Sequence, residues 1–225
     1  MASSSITVTG TTSFTYSGLP QGPSTSTVTG STGVVTYSYV GTGATSYAAS
    51  ATKPTNAGTY SETATVAADA NYNAASSTAT AFTINKAALT VTADAQSKPY
   101  DGLVFTGFTS IITGFVNSET SSVISGAATY SGAATTATAA GAYTITPVTG
   151  TLTAANYNFT TFTNGTLTIN TSNSSITVTG TTSFIYTGLP QGPSTSTVTG
   201  SAGAVTYSYV GTGASHAREV APFSW

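Results

Sequence analysis

The sequence predicts an all-β chain of tandem modules, and three observations carry that prediction. Apolar and aromatic residues alternate with Thr at period two in run after run. Gly, Pro, Asn and Asp punctuate those runs at short intervals. A block of 40 residues, Ser5 to Ala44, also returns as Ser175 to Ala214 with four substitutions: Thr15 becomes Ile185, Ser17 becomes Thr187, Thr32 becomes Ala202 and Val34 becomes Ala204. Self-similarity at a fixed period marks an array, in which each unit is one structural module.

In chain order, the strand signals are Ile6 to Thr9, Val34 to Val40, Thr59 to Val66, Ala81 to Ile84, Leu89 to Ala93, Ala142 to Thr146 and Thr166 to Ile169. In Val34 to Val40, one face carries Val35, Tyr37 and Tyr39, and this row is the expected core face. Thr suits the outward face, because its branched Cβ favours extended backbone while its hydroxyl meets water. Asn164-Gly165, between Thr161-Phe162-Thr163 and Thr166 to Ile169, predicts a tight hairpin turn. Pro20 to Pro23, Gly41 to Gly43, Pro54 to Gly58 and Pro99 to Gly102 read as turns or short loops. Only Asn117 to Ile124 invites a helix, of two turns at most, with Asn117 as its cap.

A second period lies inside the first. Ile6 to Thr9 matches Leu89 to Thr92, Tyr16-Ser17-Gly18 matches Tyr100-Asp101-Gly102, and Gly58-Thr59-Tyr60 matches Gly141-Ala142-Tyr143. Asn71-Tyr72-Asn73 and Thr83-Ile84-Asn85 recur as Asn156-Tyr157-Asn158 and Thr168-Ile169-Asn170, at offsets of 83 to 85 throughout. The expected organisation is a first module over 6–85, a second over 89–170 and a truncated copy of the first over 176–214. Linkers at Lys86 to Ala88 and Thr171 to Ser174 join them, each module folding on its own core.

Composition narrows the function classes. Charged residues are 4% of the chain and the net charge is −2, so no basic stripe is present to meet nucleic acid or anionic lipid. Thr occupies 51 of 225 positions, as in mucin-like tracts. The 39% of hydrophobic residues, with 13 Tyr and 9 Phe in alternating rows, point instead to a folded core. Without Cys there are neither disulfides nor thiolate sites. No apolar run reaches the ~18–20 residues that cross a bilayer. Met1 to Ser5 leads straight into a strand pattern without the layout of a secretion leader, and the chain reads as a cut from a longer polypeptide.

Several anchors together resemble a known kind of module: Ser97 to Gly102, Thr113 to Asn117, Ala140 to Tyr143, Ala155 to Phe159 and Asn164 to Ile169. They are similar to the YDG and MBG domains of very long secreted bacterial adhesins and surface proteins. The first module, through Phe14 to Gly18 and Pro54 to Tyr60, resembles a sister type, with Ser17 where the aspartate stands in the second. The likeness spans about Ile6 to Ala214. It implies β-grasp-like or immunoglobulin-like modules, no catalytic residues, and a stalk or adhesive role at a bacterial surface.

Candidate sites are few. Tyr16, Tyr100 and Tyr186 share one module position, where a ring in the core and a hydroxyl capping a loop are expected. Gly18, Gly102 and Gly188 follow with an expected positive φ, and Asp101 precedes Gly102. Asp69, Asn71 and Asn73 have the alternating oxygen donors that open a calcium loop, but its glycine and closing glutamate are missing, so no metal and no cofactor is expected. The six acids share no spacing that pairs two carboxylates for acid–base work, and the one His, His216, lies outside the repeats. An enzyme is not expected.

After Ala214 the copy breaks off into Ser215 to Trp225, which holds the only His, Arg and Trp of the chain. This aberrant tail reads as a shifted or truncated reading frame, with a divergent cap as the alternative. The expected function is therefore a non-catalytic stalk repeat, extracellular and at the cell surface, whose partners are neighbouring repeats, with surface glycan or host protein as further partners. The rival expectations are a glycan- or host-protein-binding module with a true pocket, and ice or crystalline-surface binding by Thr rows.

Overall fold

The computed structural model describes residues 1–210; the tail and the last residues of the third copy lie outside the described residues. The chain is all-β. The first module contributes β1 (Ser5–Thr9), β2 (Ser13–Thr15), β3 (Thr25–Thr29), β4 (Val35–Gly41), β5 (Gly58–Val66), β6 (Ala75–Ser76) and β7 (Thr80–Asn85). The second contributes β8 (Ala87–Ala93), β9 (Gln96–Pro99), β10 (Ser110–Thr113), β11 (Ile124–Ser125), β12 (Thr129–Ser131), β13 (Gly141–Val148), β14 (Thr153–Ala154), β15 (Tyr157–Thr163) and β16 (Gly165–Asn170). Two strands follow in the third copy, β17 (Ser175–Thr179) and β18 (Thr195–Thr199).

The two modules share one topology. The larger sheet runs β4-β5-β7-β2 in the first and β12-β13-β16-β9 in the second. In both, the second strand pairs in parallel with the last, and the rest of the ladder is antiparallel. The smaller sheet is β1-β3, matched by β10-β8-β15. The added strand β15 corresponds to an isolated parallel bridge between Ala2 and Tyr72. The correspondence reaches single bonds: Tyr16 N–H donates to Asn85 O at 2.8 Å, and Tyr100 N–H to Asn170 O at 2.8 Å. In each module the two sheets share core residues, and among the described residues no helix longer than a single 3-10 turn accompanies them.

Alternation decides the faces as expected. Tyr39 is buried with Val35 and Tyr37 half-buried beside it, while Val34 and Val40 are exposed. One core cluster joins Ile6 and Val8 of β1 to Ala64 and Val66 of β5. Another joins Ala93 of β8 to Ile145, Leu167 and Ile169.

Four sequence expectations change. First, β1 aligns with β8 at an offset of 85, with Val28↔Ile6 answering to Ile112↔Val91. A shift of two residues preserves every face, so an alternating sequence does not distinguish it from the offset of 83. Second, Asn164-Gly165 makes no hairpin. β15 pairs with β8 and β16 with β13 and β9, so the chain changes sheets there. Gly165 is needed for close approach, since a Cβ would stand 2.6 Å from Ala93 O. Third, the helix shrinks to a single 3-10 turn, Ser121–Val123, capped by Thr120, while Asn117 and Ser118 take left-handed φ of 51° and 60°. Fourth, Ala87 and Ala88 are strand residues, leaving Lys86 alone between β7 and β8. A third core cluster crosses that point, uniting Tyr16, Tyr39, Tyr60, Phe82 and Ile84 with Ala87, Leu89 and Tyr157.

The third copy repeats the β1/β3 ladder as β17/β18, from Ser175↔Thr199 to Thr179↔Thr195. The counterparts of β2 and β4, within 183–185 and 205–210, are not strands. Their partners in the first module are β7 and β5, which have no counterpart before Ala214. Backbone amides at 175–210 are therefore expected to exchange hydrogen far faster than those of 89–170 in a dilute sample, which exchange with mass-spectrometric or NMR readout checks.

Candidate functional site

The residues with the most organised side-chain chemistry lie at the joint between the first two modules. With one residue between β7 and β8 the modules are immediate neighbours, and their loops face one another across the joint. From the first module come Tyr16 and Gly18, after β2, and Asn56 and Ala57, before β5. From the second come Asn117 and Glu119, after β10, with Asn156 and Tyr157 at the start of β15.

Glu119 is held from both sides. Tyr16 Oη donates to its Oε1 at 2.5 Å, and Tyr157 Oη donates to its Oε2. The two rings meet edge to face at 5.4 Å, the arrangement that the ring quadrupoles favour. The left-handed pair Asn117-Ser118 turns the chain so that Glu119 reaches the gap. Asn117 Nδ2 donates to Gly18 O at 3.2 Å, and a Cβ on Gly18 would collide with Asn117. Asn156 spans the joint through both ends of its amide. Its Oδ1 accepts from Ala57 N–H at 3.0 Å, and its Nδ2 donates to Asn56 Oδ1 at 3.1 Å. Lys86 Nζ closes the edge by donating to Ala154 O at 2.8 Å.

The electrostatics follow the bonding. The hydroxyls of Tyr157 and Tyr16 hold the Glu119 carboxyl below its ordinary range. Burial, reinforced by the bond to Glu119, pushes Tyr16 up to about 12, and burial likewise raises Tyr157. The carboxylate stays charged and the phenols stay protonated across the physiological range, so donors and acceptors remain matched. The arrangement is suited to holding two bodies in one orientation.

The residues singled out by the sequence are distributed unevenly around this joint. Gly18, Gly102 and Gly188 have φ of 74°, 75° and 74°. Tyr16 is buried, but Tyr100 and Tyr186 are exposed, against the expectation of a core ring at all three. Tyr16 is covered in part by Tyr157 of the following module, which packs edge to face on it. Asp101 pairs with Lys98 Nζ and accepts from Leu103 N–H at 2.9 Å. Asp69 is saturated by its own fold: Oδ1 accepts from Asn71 N–H and Tyr72 N–H, both at 2.8 Å, and Oδ2 from Thr32 N–H at 2.8 Å. Those bonds hold its carboxyl down at about 2. Asn73 Nδ2 points to Met1 O at 3.4 Å. Among the described residues no cluster of three His, Cys, Asp or Glu side chains is arranged for a metal.

Sequence reasoning passed over Glu62. It occupies the core face of β5, between Tyr60 and Ala64, fully buried and with neither carboxylate oxygen hydrogen-bonded. Its cross-strand neighbour Tyr39 donates elsewhere, to Pro23 O at 2.7 Å. Burial pushes Glu62 up to about 7, against a smaller opposing pull from Lys53. The counterpart in β13 is Ile145, also fully buried. The signal was a single acid within the apolar row Tyr60, Ala64, Val66. Nearby, Tyr47, Lys53, Asn56 and Tyr60 line an open depression of about 480 Å³.

Residues 89–168 match the MBG domain family, YGX type. MBG domains are repeat domains of surface proteins, and the shared strand order extends the same architecture to the first module. No curated protein and no solved structure matches the chain.

Two measurements follow. Glu119→Ala removes the acceptor shared by two tyrosines and is expected to weaken the joint by about 1–2 kcal/mol. Amide exchange at Ala57 and Ala87 should then quicken while Leu167 and Ile169 stay protected. For Glu62, the unfolded carboxyl ionises near 4.5 and the folded one near 7. In that window the folded chain binds more protons, so the stability of the first module falls as pH rises from about 4.5 to about 7, then levels, by about 3 kcal/mol in all. Glu62→Ile should remove that slope and raise stability at pH 8, as followed by amide exchange within Gly58–Val66.

Proposed function

We propose that this chain is a non-catalytic spacer segment of a bacterial extracellular surface protein, in which stacked modules give reach. The observation that carries this reading is the Tyr16–Glu119–Tyr157 clamp across a one-residue connector. Fixing the angle between successive modules converts module number into length. A loosely tethered pair would recoil, because the end-to-end distance of a flexible linker grows only as the square root of its length. The low charge and Thr-covered faces suit repeated exposure to solvent without steering towards nucleic acid or lipid. Weak contacts repeated along such a rod add through avidity, with neighbouring repeats, surface glycans or host proteins as partners.

A second reading, a glycan- or protein-binding module, is favoured by the depression holding Tyr47 and Lys53. Ligand sites join apolar walls to a few polar groups, and this one offers an aromatic edge and an ammonium. The two readings part in one experiment. Arrays of increasing module number are displayed on cells with an epitope at the tip. The spacer reading expects epitope reach and adhesion to scale with module number and to be unchanged by Lys53→Ala or Tyr47→Ala. Loss of adhesion in those variants at constant length would transfer the function to the depression.

A further inference from the structure

We propose that the joint between the first two modules is an oxidative cross-linking site, at which Tyr16 and Tyr157 are joined ring to ring as a dityrosine. The rings meet edge to face with centroids 5.4 Å apart. Both hydroxyls donate to the one Glu119 carboxylate, Tyr16 to Oε1 and Tyr157 to Oε2. Two phenols on the two oxygens of one carboxylate have their hydroxyl ends drawn together, and with them the ortho carbons at which phenoxyl radicals couple. Both rings are buried, so each is held in place while its partner reacts. Glu119 itself is half-buried, which keeps the hydroxyl ends close to solvent.

The oxidant required is a one-electron acceptor of the kind that a haem peroxidase makes from hydrogen peroxide. Each tyrosine gives it one electron and passes its phenolic proton to Glu119, and from there to water. The two phenoxyl radicals form one carbon–carbon bond between ortho positions. Each of those carbons then hands its hydrogen, as a proton, to its ring oxygen, which restores the two phenols. The protein loses two electrons and two protons, and these reduce one hydrogen peroxide to two waters.

Glu119 suits the part of proton acceptor, because the hydroxyls of Tyr157 and Tyr16 keep its carboxyl ionised, and a positioned base speeds the loss of a proton. Tyr47 and Tyr60 supply the contrast. Their rings also meet edge to face, at 5.9 Å, but Tyr47 Oη donates to Thr52 O and Tyr60 Oη to Asn56 O. A peptide carbonyl takes no phenolic proton near neutral pH. The composition channels oxidation towards tyrosine as well. Between residues 2 and 210 there is no Cys, Met, Trp or His, so the side chains that ordinarily absorb oxidising equivalents first are missing. The new bond would make permanent what Glu119 holds reversibly. It rests on the geometry of the clamp and stands whether or not the segment serves as a spacer.

The test exposes the 225-residue chain, at low concentration, to a haem peroxidase with hydrogen peroxide, followed by tandem mass spectrometry of digests. Tyr16 and Tyr157 fall on different tryptic fragments, because Lys86 and Lys98 lie between them. Expected is a fragment pair joined through Tyr16 and Tyr157 and lighter by two hydrogens. Dityrosine fluorescence should accompany it, with a yield per chain independent of protein concentration. Tyr157→Phe should abolish the link. Glu119→Gln removes the base and should slow the link by about tenfold or more, with any Tyr47–Tyr60 link unchanged. No link in the unaltered chain, linkage chiefly through Tyr47–Tyr60 or between chains, or a rate indifferent to Glu119→Gln would each overturn the proposal.

Discussion

The last strand of each module decides whether its larger sheet can form. β7 lies between β5 and β2, and β16 between β13 and β9. The second strand is thus paired only when a segment some 70 residues later in the chain reaches it. Closing so long a loop costs entropy before any contact returns it. The larger sheet of a module of this design therefore closes only over about 85 residues. The third copy shows the alternative: with the early strands present and the late ones missing, one hairpin-like ladder forms and the apolar residues around it stay in water. Closure also delivers Ile84 and Asn85 to the end of the module, next to Ala87, so completing one module places the start of the next.

The joint makes use of that placement. A connector of one residue would by itself allow rotation about Lys86, and the clamp removes it. Glu119 sits in the long loop after β10, which extends from Gly114 to the strand at Ile124. In the first module the corresponding stretch, Gly30 to Val34, is short and carries no acid. A carboxylate clamp of this kind is available where a module of the first type is followed by one of the second. The exposed Tyr100 is consistent with that asymmetry, for it occupies the position of Tyr16 with no carboxylate opposite it. Alternation of the two module types therefore alternates the character of the joints.

Glu62 and Ile145 show how far one architecture tolerates chemical change. They hold the same place in β5 and β13, and both are removed from water. The hydrocarbon fills the site without an electrostatic cost. The carboxyl fills a similar volume only by keeping its proton near neutral pH. A fold resting on alternation and closure accommodates either, at different stability.

Much of the fold was legible in the residues themselves. Period-two alternation is a local property, so Val35, Tyr37 and Tyr39 could be assigned to a core face without knowing which strands pair. Repeats compare like with like along the chain, so the modules and their order were also open to inspection. Pairing was not. Asn164-Gly165 carries the chemistry of a hairpin turn, yet β15 and β16 join different sheets, because partners waiting on β8 and β13 outweigh a turn preference. The two-residue slip between β1 and β8 was invisible for a related reason: even shifts leave an alternating pattern unchanged. The clamp lay furthest from view. Tyr16 and Glu119 are 103 residues apart, and nothing in either neighbourhood names the other. Local alternation is written residue by residue and determined the faces. Which faces meet depends on long-range closure and burial, and only the tertiary structure decided it.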